Sequence, residues 1–147
     1  MAYPAPFYVF AFIFGAVIGS FLNVCIYRLP RNESIAFPAS HCPGCGATIP
    51  WYDNIPIAGY LILRGRCRSC RERISLQYPL VEALNGLLTL LLFLKFGLKP
   101  TFLILFLLSS ALVVITFIDL EHQISPDVIS LPGIAIGFAS SFFLPWL

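Results

Sequence analysis

The sequence predicts an all-α polytopic integral membrane protein of about four transmembrane helices, with a small, zinc-ribbon-like loop containing four cysteines. Of the 147 residues, 59% are hydrophobic and only 11% are charged, whereas soluble domains carry about 25% charged residues. The apolar residues are also gathered into segments of about the length that crosses a bilayer. So few charges cannot cover the surface of a water-soluble globule of this size, and lipid is the expected solvent.

Four apolar segments are predicted to span the membrane, and each must be helical because backbone polar groups find no water in lipid. The first segment contains no charge, the second has Glu82 and Asn85 near its start, and the third is uninterrupted. The fourth contains Pro132 and Pro145. The predicted spans are Phe7–Tyr27, Leu80–Phe96, Thr101–Ile118 and Val128–Leu147.

The first segment is expected to be a retained anchor, because no basic residue precedes it and no small-residue cleavage site follows it. Gly15 and Gly19 have the spacing that lets membrane helices approach closely. The face that carries them could also pair with a second copy of the chain, so a homodimer is one alternative. The segments divide the chain into a first helix (1–27), a cysteine-rich loop (28–79) and the beginning of a larger membrane domain (80–147).

The basic residues predict the orientation of the chain. All seven arginines lie between Arg28 and Arg73, so the positive-inside rule places the cysteine-rich loop in the cytoplasm and the N-terminus outside. Lys95 and Lys99 fall in the next connection, on the outer side, where they are outnumbered. This clustering bears on membrane topology and does not indicate a nucleic-acid partner.

The loop contains two C-x-x-C pairs separated by 21 residues, close to the spacing of four-cysteine zinc sites. Two residues between ligands let both thiolates point at one tetrahedral ion. Gly44 and Gly46 are expected to supply the positive φ angles of the first turn. Four thiolate ligands leave no open coordination position, so the ion would be structural. Its binding would provide the free energy to fold a loop that has almost no apolar core. The predicted ligands are Cys42, Cys45, Cys67 and Cys70.

Two other interpretations of the cysteines stay open at this point. Paired disulfides would need an oxidising compartment, which the cytoplasmic assignment disfavours. A membrane thiol oxidoreductase would use one C-x-x-C pair beside a βαβ pattern, and the sequence contains no such pattern. The fifth cysteine, Cys25, lies within the first predicted span and is expected to be a buried apolar residue.

The third segment ends at Asp119, which is predicted to lie at or just inside the cytoplasmic membrane boundary. An ionisable residue there is a candidate functional residue, although a charged helix end in the headgroup region would have the same sequence. Asp127 has a structural interpretation. Ser125 and Pro126 precede it in the pattern of a helix start, where a carboxylate faces the positive end of the helix.

Five ordered motifs resemble those of the bacterial prepilin peptidases, also called type IV leader peptidases, from about residue 7 to the end of the chain. Members of this family are polytopic aspartic peptidases of the inner membrane. The motifs are GSFLNVCIYRLP at 19–30, the two cysteine pairs, WYDNIP at 51–56, YPLVE at 78–82 and IDLEHQISPD at 118–127.

The resemblance implies cleavage of the leader peptides of type IV prepilins or type II secretion pseudopilins. In many members it also implies N-methylation of the new N-terminus with S-adenosylmethionine. By its position in the motif, Asp119 would be the first catalytic aspartate. The cysteine-rich loop would correspond to the loop that is associated with the family members that both cleave the leader and methylate the new N-terminus.

The second catalytic aspartate of the family lies in a Gly-x-Gly-Asp motif that these 147 residues do not contain. One carboxylate cannot fill both roles of an aspartic peptidase. We therefore expect the chain to be a truncated or partial form of the enzyme, inactive as a peptidase by itself. The alternative is a non-catalytic, membrane-anchored zinc-binding module that binds a partner or helps to assemble a secretion machine.

Overall fold

The computed structural model describes residues 3–122 and 133–135, and this part of the chain is helical and contains no β-strand. Three of the helices are long and apolar enough to cross a membrane, which confirms the predicted fold class. The helices are α1 (Ala5–Arg28), α2 (Ala58–Ile62), α3 (Gln77–Phe96) and α4 (Pro100–His122), with short 3-10 turns at Leu29–Arg31 and Trp51–Asn54.

The fourth predicted span, Val128–Leu147, lies outside the described residues apart from one helical turn at 133–135. Asp127 and its predicted cap also lie outside them. The three described spans therefore correspond to the first three predicted segments.

α3 begins at Gln77, three residues before the predicted start at Leu80. The N–H groups in the first turn of a helix have no intrahelical partners, so Pro79 loses no hydrogen bond there. The hydroxyl of Ser75 accepts the N–H of Gln77 at 3.2 Å. An apolar run alone marks the lipid-facing length of a helix and misses such a polar first turn.

The close approach predicted for the glycines of α1 is confirmed, and it is made against α3 of the same chain. A β-carbon at Gly19 would lie 2.8 Å from the Cα atom of Glu82, and one at Gly15 would lie 2.9 Å from the carbonyl oxygen of Asn85. Only a hydrogen atom fits at either position. Because α3 fills this face, a homodimer through the same glycines would have to displace it.

Asn85 is completely buried and links three helices. Its side-chain nitrogen donates to the carbonyl of Gly15 in α1 at 2.7 Å. The hydroxyl of Ser110 in α4 donates to its side-chain oxygen at 3.0 Å. The hydroxyl of Thr89 donates to the Asn85 carbonyl at 2.7 Å. Since lipid offers no hydrogen-bonding partners, the two bonds to Gly15 and Ser110 fix which faces of the helices meet.

The apolar core lies at the end of the bundle where α1 and α4 both finish. Cys25 is buried in it, which confirms its predicted role as an apolar residue. The core residues are Leu22, Cys25, Ile26, Val81, Val113, Val114 and Ile118. At the opposite end, the ring of Tyr3 packs on Phe93 at 5.0 Å, and its hydroxyl accepts the N–H of Leu98 at 3.3 Å.

Replacement of Asn85 by Ala is expected to lower the free energy of unfolding by about 1–2 kcal/mol, because it removes two interhelical hydrogen bonds and takes away the acceptor of the buried Ser110 hydroxyl. Reversible unfolding in mixed micelles, followed by circular dichroism, measures the change. The control is Leu87→Ala, which truncates an exposed residue on the same helix. Equal stabilities of the Asn85 and Leu87 variants would contradict the role given to Asn85.

Candidate functional site

The four predicted cysteine ligands come together in the structure. Their sulfur atoms all lie within 4.8 Å of one another, and those of Cys42 and Cys70 are 3.7 Å apart. A tetrahedral ion with bonds of about 2.3 Å to each sulfur requires sulfur separations of about 3.8 Å. The cluster can therefore hold a metal ion with sulfur movements of about 1 Å or less.

Each cysteine pair sits on a turn with the same backbone hydrogen bonds. In the first turn, the N–H of Cys42 donates to the carbonyl of Ala47 at 2.9 Å, and the N–H of Gly46 donates to that of Cys42 at 2.8 Å. In the second turn, the corresponding bonds join Cys67 to Glu72 at 2.8 Å and Arg71 to Cys67 at 3.1 Å. An isolated β-bridge closes each turn. The repeat seen in the cysteine spacing is thus a repeat of backbone conformation.

The fourth residue after the first cysteine has a positive φ angle in both turns. Gly46 has φ +69° and Arg71 has φ +63°, so the prediction for Gly46 is confirmed and the second turn places an arginine in a conformation that favours glycine. The prediction for Gly44 was wrong, since Gly44 does not have a positive φ angle. A β-carbon there would overlap only the carboxylate at the end of the flexible Glu72 side chain, which can move aside, so the structure gives no backbone reason for this glycine.

Backbone N–H groups stabilise the first thiolate of the second turn. Hydrogen bonds from the N–H groups of Cys70 and Ser69 lower the pKa of Cys67 to about 6. The N–H of Glu72 favours the Cys70 thiolate, but desolvation and the neighbouring thiols outweigh it and raise the pKa of Cys70 to about 12. The neighbouring thiols therefore disfavour a thiolate at Cys70, and a bound metal ion would supply a compensating positive charge.

Two polar contacts position the loop on the membrane helices, and a third joins α1 to the first turn of α3, into which the loop leads. The buried guanidinium of Arg28, at the end of α1, donates to the carbonyls of Ser34 at 2.8 Å and Pro38 at 2.7 Å. The side chain of Asn23 donates to the carbonyl of Tyr78 at 3.0 Å. The buried carboxylate of Glu82 in α3 accepts the N–H of Ile57, just before α2, at 2.7 Å.

A fourth contact joins the second cysteine turn to the 3-10 turn Trp51–Asn54. The guanidinium of Arg68 binds the carboxylate of Asp53 through two hydrogen bonds, from Nε at 2.7 Å and from the terminal nitrogen at 2.5 Å. The bond from Arg68 is the main cause of the lowered pKa of Asp53. The paired side chain of Asp53 is only 4% exposed.

These anchoring residues were not predicted as site residues. The sequence does contain a signal for one of them, because Glu82 is a carboxylate inside an apolar span, where an unpaired charge is costly. Its partner is a backbone N–H 25 residues earlier, which no short motif would reveal.

Asp119 lies in α4 at the end of the bundle that carries the loop. α4 continues to His122, so Asp119 is within the helix rather than just beyond its end. Asp119 is exposed, while the preceding Ile118 is 1% exposed in the core. Asp119 is not one of the cysteine cluster residues, and the two candidate sites are separate.

A cavity of about 670 Å³ lies between the cysteine loop and the adjoining ends of the membrane helices. Its wall includes Cys42 of the cluster, the anchor Glu82, and Glu121, which follows Asp119 by two residues in α4. Tyr27 and Tyr78 contribute aromatic surface. The volume is in the range of pockets that bind small organic ligands.

Comparison with known proteins confirms the expected resemblance. The sequence model of the bacterial peptidase A24 N-terminal domain matches residues 13–96. The chain is 46% identical over 136 residues to a prepilin leader peptidase/N-methyltransferase of Myxococcus xanthus, covering 92% of this chain and 41% of that protein. It is 36% identical over 166 residues to the protein of the same name from Pseudomonas putida, covering 98% and 58%.

A third relative is a type 4 prepilin-like proteins leader peptide-processing enzyme of Escherichia coli O78:H11. The chain is 36% identical to it over 186 residues, covering 99% of this chain and 69% of that protein. The chain thus spans about half the length of the first relatives it matches. No solved structure matches the chain.

Replacement of Arg71 by Gly is expected to strengthen the binding of a metal ion offered to the cluster, because it relieves the strain of a left-handed arginine and folding of such a loop would be coupled to the ion. We expect a gain of about 1 kcal/mol, or about fivefold in apparent affinity. Titration with Co²⁺, whose tetrahedral thiolate complexes are coloured, measures the affinity.

The matched control for this change is Gly46→Ala at the equivalent position of the first turn. No atom lies within 4 Å of the added β-carbon, so any loss of affinity comes from the φ angle alone. We expect a loss of similar size. Loss of affinity in both variants would contradict the equivalence of the two turns.

Proposed function

Because the chain belongs to the family of the bacterial peptidase A24 N-terminal domain, we propose that it supplies the N-terminal region of a prepilin leader peptidase. The substrates would be the leader peptides of type IV prepilins or of pseudopilins. The relatives' names support this activity, and their second name, N-methyltransferase, supports methylation of the new N-terminus. No observation favours the alternative of a non-catalytic module.

We propose that Asp119 supplies one carboxylate of the peptidase. In aspartic peptidase chemistry, two carboxylates share a proton, and one activates the attacking water while the other protonates the leaving group. The exposure of Asp119 at the loop end of α4 supports this role. The second carboxylate would come from the Gly-x-Gly-Asp motif of the family, so the 147 residues alone are expected to lack peptidase activity.

The cysteine cluster is proposed to bind one structural zinc ion through Cys42, Cys45, Cys67 and Cys70. The sulfur separations and the all-sulfur ligand set support zinc. With four protein ligands the ion would have no open position for substrate. Its role would be to fold the loop that forms one wall of the cavity.

The cavity is the site that we propose for S-adenosylmethionine. This co-substrate supplies a methyl group on a positively charged sulfur. Its aromatic adenine suits the rings of Tyr27 and Tyr78, and its positive charges suit the carboxylates of Glu82 and Glu121, which line the same space. Arg31, also in the wall, offers a partner for the carboxylate of the methionine portion.

The protein is proposed to lie in the bacterial inner membrane with the cysteine loop and Asp119 on the cytoplasmic side. The three apolar helices and the bacterial relatives support the inner membrane. The seven arginines between Arg28 and Arg73 support the cytoplasmic position of the loop.

Replacement of Asp119 by Asn is expected to reduce prepilin cleavage at least about 100-fold, because the amide cannot exchange the proton that the reaction moves. The assay uses this chain joined to the portion of the Myxococcus xanthus relative that lies beyond the matched region, in membranes free of other prepilin peptidases. Glu33→Gln, which removes an exposed carboxylate in the loop, is the control and should cleave normally. Undiminished cleavage by the Asp119 variant would show that a residue other than Asp119 supplies the catalytic carboxylate.

The purified chain is expected to contain about one zinc ion, and replacement of Cys70 by Ser should abolish this content because three thiolates leave the site open. Elemental analysis with thiol counting measures both quantities. The matched control is Cys25→Ser, which changes a cysteine in the helical core and should retain the metal. Metal-free protein with four reactive thiols or two disulfides in the loop would refute the zinc assignment.

A further inference from the structure

An exposed apolar surface runs along residues 51–63, which we call the interfacial segment. Trp51 is 80% exposed, Leu61 is 67% exposed and Ile62 is 70% exposed, and Tyr52 and Ile55 are also exposed. Five exposed, large apolar side chains within one short segment are typical of a contact with a membrane or another molecule.

The same segment contains a single charged residue, Asp53. Its carboxylate is 4% exposed and is bound by the guanidinium of Arg68. The charge is therefore neutralised on the side that faces the cysteine turn, and the outer face of the segment is uncharged. The rest of the loop differs, because six arginines besides Arg68 lie in or at the ends of residues 28–73.

The depth of the segment follows from its anchor. The N–H of Ile57 donates to the carboxylate of Glu82, and Glu82 packs against Gly19 of α1. Gly19 precedes Arg28, the first charged residue of α1, by nine residues, which corresponds to about 13 Å along the helix. Even with the length of the Glu82 side chain subtracted, Ile57 lies on the bilayer side of Arg28.

We propose that the interfacial segment is embedded in the membrane surface on the side of the cysteine loop, with Trp51, Leu61 and Ile62 in the boundary between headgroups and acyl chains. The occupant of this surface is the lipid that surrounds α1 and α3, because the bond from Ile57 to Glu82 holds the segment at the level of their apolar lengths, on the bilayer side of Arg28. Trp and Tyr prefer this boundary, where one part of the ring is apolar and the other reaches polar groups.

The backbone of the segment suits this position. The N–H of Gly59 donates to the carbonyl of Ile55 at 2.8 Å, that of Leu61 to Ile57 at 3.1 Å, and that of Leu63 to Gly59 at 3.0 Å. Glu82 accepts the N–H of Ile57, which precedes the helix and has no helical partner. Non-helical backbone is tolerated near lipid when its polar groups are paired in this way. The inference depends on the membrane spans and not on the proposed enzymatic activity.

The sequence permits a direct test, because the chain contains only two tryptophans, Trp51 and Trp146. The variant Trp146→Phe leaves Trp51 as the single reporter in an otherwise unchanged chain. It is reconstituted at a high lipid-to-protein ratio into phosphatidylcholine bilayers whose acyl chains are brominated near the headgroup or near the bilayer centre. We expect emission shifted to shorter wavelength and stronger quenching by the shallow bromines than by the deep ones.

Two results would overturn the proposal. Emission typical of water, quenched by acrylamide and not by brominated lipid, would place Trp51 in solvent. Emission that shifts only when the protein is crowded in the bilayer would mean that a second copy, and not lipid, covers the surface.

The anchor is tested by a pair of substitutions in the same single-tryptophan chain. Glu82→Gln keeps an oxygen that accepts the N–H of Ile57 and should preserve the quenching by shallow bromines. Glu82→Ala removes the acceptor and should reduce that quenching while the helical content stays the same. Unchanged quenching in Glu82→Ala would show that Glu82 does not hold the segment at this depth.

Discussion

The close contact between α1 and α3 determines most of the remaining structure. It exists because Gly15 and Gly19 have no side chain where α3 passes. At this distance the side chain of Asn85 reaches the backbone of α1 and also meets Ser110 of α4. The third helix is therefore positioned by a residue that the first contact places at the centre of the bundle. A helix pair held farther apart would leave that amide unpaired in lipid, where its desolvation is costly.

The same contact sets the position of the cysteine loop. One helical turn nearer the loop, Glu82 packs beside Gly19 and accepts the N–H of Ile57. Two different interactions thus organise a loop that has almost no apolar core. A cluster of sulfur atoms closes it internally, and a buried carboxylate attaches it to the membrane helices. The cavity lies between the loop and the bundle that these two contacts hold together.

Sequence alone predicted the features that depend on local composition. Apolar length identified the three described spans, glycine spacing identified the close helix contact, and cysteine spacing identified the four residues whose sulfurs meet. The turn at Gly46 was predicted correctly because a positive φ angle favours glycine at that place. The family resemblance, carried by five ordered motifs, was confirmed by the comparisons.

The features that could not be predicted depend on contacts between distant parts of the chain. Gly44 resembles another turn glycine in sequence, but its φ angle is not positive and its nearest neighbour is the end of the Glu72 side chain. The positive φ angle of Arg71 is an exception, because it is local, and the only sign of it in the sequence is the position that Arg71 shares with Gly46 in the repeated turn. Glu82 could be recognised as unusual in an apolar span, but its partner Ile57 follows only from the folded arrangement.

The repeated cysteine turns also bear on the order in which the protein is made. Both turns precede α3 in the chain, so all four sulfurs leave the ribosome before Glu82 does. During synthesis the loop could therefore bind the proposed metal ion while α1 is the only helix in the membrane. Attachment of Ile57 has to wait until α3 has been inserted. Biogenesis would then join a preformed, metal-closed unit to the growing bundle, and a shortage of metal at that stage would leave α3 inserting beside an unfolded loop.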